Sequence, residues 1–220
     1  MGSQMIQIII LAGIALFLIL RLRNVLGTRS GYEKPRGVPA PAQPSRDRSF
    51  EVIEGGGPDP DIADFVDAAG EAGKAFAAMK RADPSFSVHE FTHGARQAYE
   101  MIVIAFENGD LDTLREFLSP EVYQSFAEAI EARRAKGYSV QADFVGIREV
   151  SVVDAHFDAT TGEGDVSVRF LGELTSVVRD PSGAIVEGDP KEIKQQRDVW
   201  TFTRTMTSDN PNWLLTGTGA

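Results

Sequence analysis

The chain has 220 residues, a formal net charge of −10 and no cysteine. The missing thiols exclude disulfides, thiolate metal sites and cysteine catalysis. The charge is split: residues 1–48 carry seven Lys/Arg against two acids, a net of +5, and the rest of the chain carries −15. So acidic a body is repelled by phosphate backbones, so nucleic acid is not expected as a partner.

Residues 5–20 (MIQIIILAGIALFLIL) form an almost unbroken apolar run that ends in Arg21-Leu22-Arg23. With Leu22 included and the two arginines reaching outward, the run comes close to the ~20 residues that a helix needs to cross a bilayer. A transmembrane anchor is therefore expected over residues 5–22. The positive charge follows the run instead of preceding it, the reverse of a secretory leader. Arg21, Arg23 and Arg29 then belong at the cytoplasmic membrane surface, where each attracts anionic headgroups by about 1 kcal/mol. A single-pass topology is expected, with the C-terminal domain in the cytoplasm.

Residues 27–60 alternate proline and glycine with few large apolar side chains, and a flexible linker is expected there. Residues 61–81 place Ile62, Phe65, Val66, Ala69, Phe76 and Met79 at three- and four-residue steps, which predicts one amphipathic arm helix. Gly70 and Gly73 weaken that helix, so it needs a partner surface: its own domain, another protein or the membrane interface. Residues 88–108 predict a stronger helix, closed by Gly109-Asp110. Ser119-Pro120-Glu121 reads as an N-cap, a first-position proline and a first-turn acid opening the next helix. After Tyr138 the apolar period changes from 3.6 to 2. Residues 140–157 read as two strands, 164–180 as a third with the cleanest alternation, 197–206 as another, and 212–216 as an edge strand. Glu187 and Asp189 are assigned to a turn. Helices followed by antiparallel strands give an α+β domain.

Chemistry-bearing patterns are few. His89-Glu90-Phe91-Thr92-His93 matches the H-E-x-x-H zinc pattern, but a catalytic zinc needs a third protein ligand. The remaining histidine, His156, falls in a strand next to Phe157, so no metal site is expected. No nucleotide loop, nucleophile elbow or dinucleotide fingerprint occurs, and the expectation is no catalytic residue, no cofactor and no enzyme activity.

The stretch FTHGARQAYEMIVIAFENGDLDTLREFLSPEVYQSFAEAIEARRAKG, followed by SVVRDPSGAIVEGDP and DVWTFTRTMTSDNPNWLLTGT, closely resembles the C-terminal domain of the mitochondrial inner-membrane import-motor tether, the TIM forty-four family, in its bacterial branch. The resemblance covers about residues 91–218. It implies a nuclear transport factor two-like cone, with helices packed on a bent antiparallel sheet and an apolar pocket between them, over residues 88–220. In this chain the residues facing such a pocket would be Tyr99, Ile102, Phe106, Tyr123, Phe126, Phe170, Trp200 and Phe202. The resemblance further implies a non-catalytic binding or scaffold protein in membrane-protein biogenesis or complex assembly. Its partners would be membrane lipids, through the N-terminal helix, and membrane proteins or their assembly machinery, with an apolar ligand in the pocket. The acidic start of the arm, Asp61, Asp64 and Asp67, departs from a lipid-binding helix. The alternatives are a lipid or small apolar ligand-binding protein, or a cone-fold enzyme of the isomerase or dehydratase kind.

Overall fold

The structure, a computed structural model, describes residues 57–219. The anchor over 5–22, its arginines Arg21, Arg23 and Arg29, and most of the linker lie outside the described residues. Within them no helix is long and apolar enough to cross a membrane.

Among the described residues five helices precede four strands: α1 Pro60–Ala63, α2 Glu71–Ala82, α3 Val88–Asn108, α4 Leu111–Phe117 and α5 Pro120–Ala135, then β1 Ser139–Asp158, β2 Glu163–Arg179, β3 Ile185–Thr205 and β4 Leu214–Gly219. The strands form one antiparallel sheet in the order β1-β2-β3-β4. The α+β class expected from the switch in period is what the chain adopts.

Local chemistry sets the helix ends. Ser87, Asp110 and Ser119 each accept a backbone N–H of the following turn, which satisfies donors the helix start would leave open. Gly109 closes α3 in the left-handed region at φ 69°, which costs glycine nothing and any β-carbon about 1 kcal/mol.

The single helix expected over 61–81 is broken. Asp59 caps the one-turn α1, the chain turns through Asp64–Ala69, and Gly70 becomes the N-cap of α2. Two glycines three residues apart weaken a continuous helix enough for the chain to bend there. The bend lets α2 return onto β1. Phe76 and Met79 are fully buried, so α2 is built into the domain core and does not stand free of it.

The two strands expected over 140–157 are one, since β1 runs unbroken and absorbs three register shifts against β2. Glu187 and Asp189 lie in β3, paired with Val178 and Ser176, and not in a turn. Between Asp189 and Lys194 the ladder skips, with four residues of β3 set against Thr175. This bulge is the irregularity that made the segment read as a turn.

The core sits between the α2–α3 layer and the sheet: Phe91, Ala95, Tyr99 and Ile102 from α3 meet Val166, Val168 and Phe170 of β2 and Trp200 and Phe202 of β3. Tyr99 is in closest contact with the sheet. At Gly172 an added β-carbon would sit 2.6 Å from the Tyr99 hydroxyl, so the absence of a side chain there lets α3 approach.

Candidate functional site

Two clefts open along α3, one at each half of the helix. The smaller, about 280 Å³, lies between the C-terminal half of α3, α5 and the β3–β4 pair. Ile102, Val103, Phe106, Phe126 and Trp200 form its apolar wall, and Glu107, Gln196, Asp198 and Thr218 its polar one. The larger, about 530 Å³, lies between the N-terminal half of α3, α4 and the loop before β4. Its walls are Phe86, Phe91, Phe117, Phe202 and Trp213, its floor Gly94, Ala95 and Ala98, and its acids Glu90 and Glu116.

Of the eight residues expected at a pocket, Ile102, Phe106, Phe126 and Trp200 line the smaller cleft and Phe202 the larger. Tyr99 and Phe170 line neither. Both are fully buried, with ring centroids 4.4 Å apart, behind Trp200. Tyr123 sits half-buried on α5, its hydroxyl accepting from Arg115 at 2.9 Å. The sequence reading missed most of the larger cleft. The signal was in the small residues Gly94, Ala95 and Ala98 on one stretch of α3, which leave a trough where larger residues would fill it.

The electrostatics of the smaller cleft come from Asp198 and Glu107. The Tyr99 hydroxyl donates to Asp198 Oδ2 at 2.7 Å, and the Gln196 amide donates to the same oxygen at 2.9 Å. Burial, and then the Asp198 carboxylate, push the Tyr99 phenol far above its usual range, so it acts as a permanent donor. Burial also raises Glu107. The opposing pull of Arg133, 3.7 Å away, does not cancel the lost solvation. Arg133 is engaged elsewhere too, donating to the Phe106 carbonyl and stacking over its ring.

Ion pairs adjoin two residues that line the larger cleft, Ser87 and Arg204. Asp61 accepts from the Ser87 hydroxyl and from the N–H groups of Val88 and His89, and pairs with Lys80 at 2.9 Å. Although burial opposes it, Lys80 and those donors bring the Asp61 pKa down to about 2. Arg204 at the cleft wall pairs with Asp83.

His89 and His93 are both exposed at the start of α3, and His156 is exposed on β1. Among the described residues no group of histidines and acids is arranged to hold a metal.

A family model for the Tim44-like domain matches residues 72–220, from α2 to the end of the chain. The chain belongs to the Tim44-like domain family. The chain is 28% identical over 133 residues to the mitochondrial import inner membrane translocase subunits TIM44 of Rattus norvegicus and of Homo sapiens, and 26% identical over 134 residues to TIM44-1 of Arabidopsis thaliana. These matches cover 60% of this chain and 27 to 29% of the relatives, so the chain spans under a third of the proteins it matches. A solved structure, the intermembrane space region of the chloroplast protein ARC6, is similar over 58% of this chain and 94% of its own. Its TM-score of 0.40 and identity of 12% are too low to bear on function.

Proposed function

We propose that this protein is a membrane-anchored, non-catalytic binding or scaffold module at the cytoplasmic face of a bacterial inner membrane, serving membrane-protein biogenesis or complex assembly. The observation that carries this reading is a Tim44-like domain with two aromatic-walled clefts along one helix. The relatives' names as inner membrane translocase subunits support a role beside protein transport. Concave clefts with aromatic walls and a few polar groups are suited to binding a partner. The apolar run at residues 5–22, followed by Arg21, Arg23 and Arg29, supplies the anchor and its contact with anionic lipid in this reading. The cone shape implied by the family, with its apolar pocket, corresponds on this account to the space between α3, α5 and β3.

Two measurements on one protein test the reading. Full-length tagged chain, purified from detergent-solubilised membranes, is expected to bring with it membrane proteins or insertion and assembly components. Deleting residues 1–26 is expected to move the folded body to the soluble fraction. Turnover of a small molecule that depends on Asp198 or Glu107 would replace this reading with the enzyme alternative.

A further inference from the structure

The geometry points to the smaller cleft as a subsite for a single primary ammonium on an alkyl stem, a lysine side chain presented by a partner polypeptide. The inference rests on the binding-module reading and adds the chemistry that the module recognises.

The apolar wall is aromatic. Phe106 and Phe126 meet edge to face with centroids 5.0 Å apart, and Trp200 lines the same cleft. Aromatic faces attract cations, and they also cover the methylene stem of a lysine. About 280 Å³ accommodates one long side chain and little more.

The charge that would receive the ammonium is Asp198. Both its recorded hydrogen bonds fall on Oδ2, from Tyr99 and from Gln196, which fixes the carboxylate and leaves Oδ1 for a ligand. Among the described residues Asp198 takes part in no ion pair, whereas Glu107 is balanced: Arg133 and Lys194 oppose it, and Glu187 adds to it. One available oxygen favours a compact point charge over a guanidinium, whose fork needs two acceptors side by side. The burial that raises the Glu107 carboxyl adds to this, because an arriving cation offsets solvation that the carboxylate has lost.

Delivery by a polypeptide follows from the strand at the mouth. Thr218 and Gly219 of β4 line the cleft. β4 is paired with β3 on one side, and on the other meets, among the described residues, the Leu118–Leu215 bridge. An extended segment running past β4 can drop one side chain toward Asp198.

The test uses full-length protein in nonionic detergent, with fluorotryptophan at Trp200 and Trp213, followed by fluorine NMR. The probes are the tripeptide acetyl-Leu-Lys-Leu-amide, its norleucine counterpart lacking the charge, and hexylamine. The lysine peptide is expected to move the Trp200 signal and to bind at least tenfold more tightly than the norleucine peptide. Asp198→Asn is expected to erase that preference, so that the lysine and norleucine peptides bind alike. Gln196→Lys, which tethers an ammonium next to Asp198, is expected to block the lysine peptide and serves if the first variant does not fold. Equal binding of both peptides, or a preference that survives Asp198→Asn, overturns the inference. Hexylamine binding as tightly as the lysine peptide overturns its polypeptide source. None of these results touches the recovery of membrane partners, so failure here and failure of the functional reading remain distinct.

Discussion

Arg204, near the end of β3, pairs with Asp83, the C-cap of α2, at 2.7 Å across 121 residues of sequence, with side chains only 11% and 12% exposed. The pair ties the first long helix to the third strand at the edge of the larger cleft. Removing one member leaves the other charged in a poorly solvated place, which typically costs 3–5 kcal/mol. Arg204→Met is therefore expected to cost about 3 kcal/mol in urea unfolding, since Ser85 still donates to Asp83. The double variant Asp83→Asn, Arg204→Met is expected to recover most of that loss.

Tyr99 and Gly172 form a second coupled pair. An added β-carbon at Gly172 overlaps the Tyr99 ring and hydroxyl, and Tyr99, fully buried against Phe170, has nowhere to move. Gly172→Ala is expected to destabilise by about 2–3 kcal/mol, the usual cost of overpacking. Tyr99→Phe alone costs about 1 kcal/mol through the lost hydrogen bond to Asp198. In the Gly172→Ala background the same change is expected to cost nothing or to stabilise, because the hydroxyl is the atom nearest the added β-carbon, at 2.6 Å. A double-mutant cycle measures this coupling directly.

The depressed Asp61 pKa gives the domain an acid limb. A carboxyl that titrates at about 2 when folded and near 3.8 when unfolded contributes stability above the unfolded value and loses it as pH falls between the two. The contribution at neutral pH is on the order of 2 kcal/mol. Asp61→Asn is expected to lose about that amount at pH 7, with the gap to wild type closing by pH 2 in denaturant titrations run at both pH values.

Whether α2 can detach is read from Phe76. Its ring is fully buried and stacks near Phe86 with centroids 6.2 Å apart. Phe76→Ala is expected to cost 3–5 kcal/mol in a single cooperative transition. A helix that came and went as an arm would give a variant with unchanged global unfolding and only faster local hydrogen exchange.

Long periodic elements were legible in the sequence. Residues 88–108 and the Ser119-Pro120 start carry apolar spacing and caps that agree with the tertiary fold, so α3 and α5 could be read to within a residue. The break at Gly70 and the bulge at residues 190–193 were not. In each the local pattern is ambiguous, and the deciding term is burial against β1 or pairing with β2. For the candidate site, aromatic residues on α3 and β3 were found by their period, but period cannot separate a cleft wall such as Trp200 from buried filler such as Phe170 two strand positions from the same edge. Asp198 escaped notice because its importance comes from a hydrogen bond to Tyr99, 99 residues away.

The central claim, that the clefts along α3 receive another protein, is tested most directly at Gly94. This residue is exposed in the floor of the larger cleft, and an added side chain would meet nothing within 4 Å. A photoreactive phenylalanine analogue placed there in the full-length chain, and at the exposed Gln124 of α5 as a control, is irradiated in native membranes. Discrete cross-linked bands with membrane proteins at position 94, absent at position 124, are the expected result; no protein adduct at position 94, or the same adducts from both positions, would contradict it.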